Sequence, residues 1–388
     1  MKTIENKSIA IIGGGPAGLT LARLLQMNGN DVRVYERDLN RSARVQGATL
    51  DLHHDSGLKA LSKAGLMDAF RANYRPGADR VVIVDQNANV LLDEFSSEDF
   101  GEERPEIDRG PLREILLDSL LEDTVVWDSQ FSSLTRDEDG FALEFTNGTS
   151  ARADLVVGAD GANSKIRPYV TNIEPIYSGV TVIEGSVYES ESVAPEIHKL
   201  MRTGKVFALG NEKVLVAGTK GDGSLAFYLS LKAAESWFRS SGVDFSSRTS
   251  LLAWFREEFA GWAPLWDELL LNAEPKFTPR PQYYMPLDQG WDSLPNVTLI
   301  GDAAHVMPPF AGEGVNVAML DALQLAECLL DNRYADAHSA IAAYEARMRV
   351  RASAAVQESM DQTVTFHSPD AISKLLEMFM HFQASASR

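Results

Sequence analysis

The sequence predicts an α/β fold: a parallel sheet wound with helices, a second domain on a mixed β-sheet, and a C-terminal helix bridging the two. Three observations carry this expectation. The apolar run Ile9-Ala10-Ile11-Ile12 is followed by Gly13-Gly14-Gly15-Pro16-Ala17-Gly18, then by Leu21, Leu24 and Leu25 at helical spacing, then by the alternating run 31–36. This is a complete β-α-β unit, the signature of a Rossmann-like layer. Two more buried-type strands, 154–158 and 297–300, each run into a turn containing glycine and aspartate. Between them, from about residue 175, the chain becomes β-rich (VTVIEGSVYE, KVFALG, KVLVAGT, SLAFYLSLK), with Gly and Asn in the connections. The expected division is 1–174, 175–273, a return to the first domain over 274–330, and a helical segment over 331–388.

The remaining elements follow in order. Asn28-Gly29 closes the first helix with a C-cap signal. Residues 40–75 read as loop plus helix. Residues 106–122 read as one helix, with Leu112, Ile115, Leu116 and Leu120 on a shared face and Pro111 near its start. Short β runs and the turn Asn147-Gly148 occupy 123–150. Residues 233–273 are helical and Trp-rich, and 315–330 is a long helix. In 371–382, Ile372, Leu375, Leu376 and Phe379 recur at helical spacing, as in a helix docked across two domains.

Composition limits the function classes. Of 388 residues, 45% are hydrophobic and 23% charged, with 36 Lys plus Arg against 55 Asp plus Glu, a net charge of −19. Such a field repels phosphate backbones and anionic lipid, so neither nucleic acid nor a membrane is an expected partner. The single cysteine, Cys328, excludes an internal disulfide and a Cys-based metal site, and it reads as a small buried hydrophobe. No metal site is expected. Residues 1–8 are polar, 9–12 are too short for a signal core, and no run approaches the roughly 18 apolar residues of a membrane span. The reading is a soluble, cytoplasmic, monomeric protein acting on a small molecule.

The first glycine motif has a direct physical reading. Gly13 permits the tight turn, Gly15 has no Cβ to block a pyrophosphate, and Gly18 lets the helix approach the strand. The helix N-terminus offers free N–H groups and a partial positive charge to an anion. Glu36 lies 21 residues past Gly15, the spacing of a ribose-binding carboxylate. It argues for NAD or FAD, and the adjacent Arg37 does not convert the site to NADP, since Glu36 would repel a 2′-phosphate.

Two further motifs separate these cofactors. Asp160-Gly161-Ala162-Asn163-Ser164-Lys165-Ile166-Arg167 follows the 154–158 strand. Gly301-Asp302-Ala303-Ala304-His305 follows the 297–300 strand, and Pro308-Pro309-Phe310-Ala311-Gly312-Glu313-Gly314-Val315-Asn316 leads into a helix. In this order and at these distances the motifs resemble those of the para-hydroxybenzoate hydroxylase-like (class A) FAD monooxygenases, over residues 1 to about 330. The resemblance implies a Rossmann-like FAD-binding domain in which Asp302 accepts from the ribityl hydroxyls. It implies that Pro309, Gly312, Gly314, Val315 and Asn316 border the flavin, and that Asp160 and Arg167 lie between the pyrophosphate and the nicotinamide cofactor. The helix from about Val315 would aim its positive end at the reduced flavin.

Within that group the chain is similar to the tetracycline-inactivating flavin monooxygenases of the Tet(X) type. Val34-Tyr35-Glu36-Arg37, Ala43-Arg44, Gly47-Ala48-Thr49-Leu50-Asp51-Leu52-His53, Pro105-Glu106-Ile107-Asp108-Arg109, Thr124–Asp128 and the stretch 301–316 carry this likeness. It implies that Arg44, Asp51 and Arg109 contact FAD. By register, substrate-facing positions fall at Glu184, Lys205, Phe207 and Ala226, with Phe310 beside the flavin loop. Three depart from the family pattern: Glu184 for a neutral amide, Lys205 for an arginine, Ala226 for a histidine. The implied reaction is NADPH reduction of FAD, formation of the flavin C4a-hydroperoxide with O₂, and hydroxylation of an aromatic or enolic polyketide, tetracycline first among them. No protein nucleophile is expected, His305 is expected to pack below the flavin loop, and His53 and His54 are expected to be structural or solvent-facing. A dehydrogenase without flavin, a ligand-sequestering flavoprotein and a non-oxygenating reductase of the same fold are the rival readings.

Overall fold

A computed structural model describes residues 4–43, 49–94, 104–137 and 140–386. Arg44, expected at the cofactor, lies outside the described residues. The first sheet has five parallel strands in the order Val297–Leu299, Leu155–Gly158, Ser8–Ile12, Asp31–Tyr35 and Val125–Val126. Ser8–Ile12 and Leu155–Gly158, near its centre, are buried on both faces, as their apolar runs require, whereas Asp31–Tyr35 alternates. Helices Pro16–Gln26 and Gly314–Leu330 pack along each other, and the turn at Gly301 sits where a Cβ would lie 3.0 Å from Ala318 and 3.6 Å from Ala17.

The second sheet has seven strands in the order Thr278–Tyr284, Ile176–Val187, Leu225–Lys232, Lys213–Thr219, Lys205–Gly210, Val81–Asp85 and Val90–Glu94. It is mixed: Lys205–Gly210 pairs parallel with Val81–Asp85 and the other pairs are antiparallel. Three of its strands lie outside 175–273. The hairpin 81–94 comes from the N-terminal segment and Thr278–Tyr284 from the returning one, so each edge is closed by chain the sequence division gives to the other domain. Strand alternation sorts this sheet's residues. Val206, Ala208, Phe227 and Leu229 pack under helix Arg248–Glu258 and Trp266. Phe207 and Leu209 point to the opposite face, where Phe366, Leu375 and Phe379 of the two last helices cover them. The terminal helix Ala371–Ala386 thus docks on the second sheet through the residues whose spacing predicts it.

The segment 106–122 is not one helix. Glu106–Ile107 is a short strand paired with Leu50–Asp51, and the helix spans Arg109–Asp118. Asp108 does not cap that helix with its side chain. Its carboxylate accepts from Gly221 N at 2.8 Å instead, anchoring the segment to the second sheet.

The long helix Ala337–Phe366 ties the layers together. Tyr344 Oη donates to Leu299 O at 3.0 Å, and Thr298 Oγ1 donates to Glu345 at 2.7 Å. Ser359 Oγ donates to Pro308 O. The Phe366 ring lies 5.8 Å from Phe310 and 6.3 Å from Phe207, centre to centre. Just beyond it, buried His367 bonds Ser230 on the second sheet at 2.8 Å and Thr363 O at 2.7 Å.

Candidate active site

Three adjacent strands of the parallel sheet end at one edge, and each ends in a motif. Ser8–Ile12 leads to Gly13, Leu155–Gly158 to Asp160-Gly161, and Val297–Leu299 to Gly301-Asp302. The carboxyl edge of such a sheet is where open α/β folds receive ligands. At Gly13 (φ +110°) a Cβ would lie 2.3 Å from Ala159 O, and at Gly18 it would lie 2.1 Å from Gly13 O. Neither position admits a side chain. At Gly15 and Gly314 a Cβ would meet nothing within 4 Å. Each of these two opens a helix (Pro16–Gln26 and Gly314–Leu330), so two helix N-termini face open space at this edge.

The charged side chains at the edge are held by backbone. Glu36 is buried, accepting from Gly14 N at 2.6 Å and Asp38 N at 3.0 Å. Asp160 accepts from Ser164 Oγ and Lys165 N within its own loop. Arg167 is buried and donates to Ala303 O (2.7 Å), Asp302 O and Ala162 O (both 2.9 Å), clamping two loops together. Asn316 accepts from His53 N at 2.9 Å and donates to Asp51 O at 2.9 Å, fixing the Asp51 loop to the helix start. Asp302 is exposed, yet the surroundings that desolvate it push its carboxyl above the ordinary 3.8, with His305, Arg109 and Arg167 pulling the other way. Arg37, Arg109 and Pro309 are exposed, and Val315 is half-buried.

A second group of charges joins this edge to the other sheet. Asp51 and Glu106 are register partners across their short ladder. Asp51 bonds His53 Nε2 at 3.0 Å, and His53 Nδ1 lies 3.5 Å from Glu313 in the flavin-type loop. His53 is therefore buried and partnered on both ring nitrogens, whereas His54 is exposed. Burial raises the Asp51 carboxyl, but His53, Lys205 and Arg104 outweigh it and hold the group below 3.8. Burial raises Glu106 above 4.5 despite Lys205, whose Nζ bonds its Oε1 at 2.5 Å.

The expected substrate residues share one face of the seven-stranded sheet. One row across it reads Ser186, Ala226, Gly218, Lys205; the next reads Glu184, Tyr228, Val216, Phe207. Three of the first row are small (Ser186, Ala226 and Gly218), and the Lys205 stem lies over Gly218 (a Cβ there would be 3.4 Å from Lys205 Cγ). Ala226 is buried. Both charged members are paired within the protein: Lys205 with Glu106, and Glu184 with Arg280 at 2.7 Å. Phe310 packs against Phe366 and His367.

The comparisons with known proteins match this geometry. The family model for the FAD binding domain matches residues 6–175 and 293–359, the two segments that build the parallel sheet. Monooxygenase asqM of Emericella nidulans is 31% identical over 370 residues, covering 82% of this chain and 83% of that protein. The chain belongs to the FAD-dependent monooxygenases. Klebsiella pneumoniae HpxO, solved with FAD and uric acid, superposes with a TM-score of 0.75 at 26% identity, covering 96% of this chain and 91% of that one. Tetracycline destructase Tet(51) superposes with a TM-score of 0.73 over 98% of this chain and 96% of that one, at 19% identity, a likeness of fold.

The edge of this monooxygenase fits FAD on its own geometry: two helix starts at which a Cβ would meet nothing, a buried acceptor at Glu36, and an accessible acceptor at Asp302. His305 is fully buried against Asp321. Sequence reasoning missed Glu106, Asp321, Arg280 and Arg351, because each works through a partner distant in the chain.

Proposed function

We propose that this enzyme is an NADPH-consuming hydroxylase of an aromatic or enolic polyketide, with tetracycline the first substrate to test. The observation that carries the reading is the convergence of three cofactor loops at one sheet edge, beside a row of small side chains on the neighbouring sheet. FAD, when bound, supplies reductive activation of O₂ and oxygen transfer to carbon. In this reading Gly13, Gly15 and Gly18 give the pyrophosphate a bare helix start, and Glu36 takes the ribose hydroxyls. Asp302 takes the ribityl hydroxyls, Arg109 supplies positive charge beside it, and Asp51 borders the flavin from behind Gly312. Pro309, Gly312, Gly314 and Val315 let the flavin approach backbone. Asp160, Arg167 and Asn316 act at one remove, by shaping those loops. NADPH would bind transiently over the flavin, since no second glycine motif of this kind occurs in the sequence.

Ala226 and Phe207 provide floor and wall for a flat substrate, and Phe310 separates it from the C-terminal helices. Lys205 and Glu184 bear on substrate through their ion pairs, which leave this face nearly neutral. That neutrality favours, as a second reading, an uncharged phenolic substrate smaller than tetracycline. The test is NADPH oxidation by the purified yellow protein with and without tetracycline, with mass spectrometry of the product. Faster oxidation and a product heavier by one oxygen support the first reading. Flavin reduction without oxygen transfer to tetracycline removes that substrate and leaves the phenolic one.

A further inference from the structure

Behind Asp302 stands a row of charges. Arg351, on the long helix, donates from Nη2 to Asp321 Oδ1 at 2.5 Å and from Nη1 to Gln324 at 2.6 Å. Asp321, on helix Gly314–Leu330, is fully buried, and its Oδ2 is bonded to His305 Nε2 at 2.5 Å and Gly301 N at 2.8 Å. His305 is fully buried and closes the single helical turn Asp302–His305 that Asp302 opens. The groups alternate in kind: the Arg351 guanidinium, the Asp321 carboxylate, the His305 imidazole and the Asp302 carboxyl. Arg109 and Arg167 add positive charge around Asp302.

We propose that Arg351, Asp321 and His305 form a charge ladder that holds the Gly301-Asp302 turn, and through it the FAD ribityl chain, from behind. The ladder rests on the reading that Asp302 receives the ribityl hydroxyls. Asp321 is its central positioning residue. It fixes the turn through the Gly301 N–H, at a glycine whose φ of +60° already demands a special backbone. It also gives His305 the counterion an enclosed imidazolium needs. An ionised Asp302 offers only acceptors to hydroxyl donors, whereas a protonated one does not. Burial drives Asp302 toward the protonated form, and His305 is one of three cations opposing it. Burial drives His305 toward neutrality, and Asp321 overrides that. Burial likewise raises Asp321, and His305, Arg351 and the Gly301 N–H together hold it low. Without Asp321, His305 loses the group that holds it toward its charged form, Asp302 loses an opponent of its protonation, and acid-side release of FAD moves to higher pH.

The experiment compares the holoenzyme of wild type, Asp321→Asn, Arg351→Met and Arg351→Lys. FAD dissociation is followed by flavin fluorescence from acidic to mildly alkaline pH, beside the melting temperature of each apoprotein. Asp321→Asn is expected to weaken FAD about tenfold at the acid end of the range, where the Asp302 carboxyl is protonated, the effect of one pKa unit at that group. It is also expected to move acid-side release to higher pH. Arg351→Met moves both in the same direction by less, and Arg351→Lys restores most of the loss. A folded Asp321→Asn protein with wild-type affinity and release profile overturns the ladder, whatever happens to its melting temperature. If that variant does not fold, a wild-type profile in Arg351→Met overturns it. Wild-type protein that holds FAD while Asp302→Asn holds it equally well overturns the role of Asp302 instead.

Discussion

The cofactor edge and the face of the second sheet are built on opposite plans. At the edge, backbone meets the ligand site, and polar side chains such as Glu36, Arg167 and Asn316 are engaged by the protein's own backbone groups. On the sheet face, side chains meet the site, and the charged ones are neutralised by other side chains. A backbone-lined site tolerates almost no change in glycine spacing. A side-chain-lined site can change its specificity with every substitution in a row.

The contrast can be broken at its strongest point, the Lys205–Glu106 pair. Lys205→Met strands a buried carboxylate and is expected to destabilise the apoprotein by about 3 kcal/mol. Adding Glu106→Gln should return most of it, as read by urea denaturation. If Lys205→Met leaves stability unchanged and only raises KM, the lysine serves substrate directly and the face is not neutral. Next in size is a pair of glycine variants. Gly18→Ala forces a Cβ toward Gly13 O and should lower stability by about 1–3 kcal/mol. Gly15→Ala should leave the apoprotein melting temperature alone and weaken FAD. Equal melting losses in both would erase the distinction between a packing glycine and a ligand-facing one. Glu36→Gln, which keeps the shape but lowers the charge on two backbone hydrogen bonds, should reduce apoprotein stability by about 1 kcal/mol.

The register partners Asp51 and Glu106 sharpen the contrast through pH. Asp51 lies below its ordinary 3.8, so its contribution is fully present above that value and is lost as pH falls through the folded value. Glu106 lies above its ordinary 4.5, so folding weakens as pH climbs past 4.5. Asp51→Asn should flatten the acid limb of apoprotein stability below 3.8, and an unchanged limb would place that limb elsewhere. The smallest effect belongs to Arg280→Gln, which breaks an exposed pair with Glu184 and should change stability by no more than about 0.5 kcal/mol.

The parallel sheet and its three loops were legible because their information is local: a buried strand, a glycine with no room for Cβ, and a carboxylate at a fixed distance. The second sheet was legible as β-structure but not in its edges, because Val81–Asp85 joins Lys205–Gly210 by a pairing that no local pattern announces. The helix expected over 106–122 failed at its start because Glu106 pairs with Asp51 across a ladder, a tertiary override of helical periodicity. His53 was read as structural or solvent-facing. Its partner Asp51 is local, two residues back, but Glu313 meets it only when the Gly312–Gly314 loop folds against it. Lys205 shares a row of the sheet with Ala226, as the register implies, but its counterion lies 99 residues away.

The long helix Ala337–Phe366 has a consequence for synthesis. The strand Val297–Leu299, the Gly301-Asp302 turn and Pro308 are held by residues from Tyr344 to Ser359. A nascent chain can pair its first strands early, but it gains the third loop and its buttress only when nearly all of it has left the ribosome. Until then the last strand of the parallel sheet lacks the helix that holds it. A chain stopped short of residue 359 would carry the first glycine motif intact and have no complete place to keep a flavin.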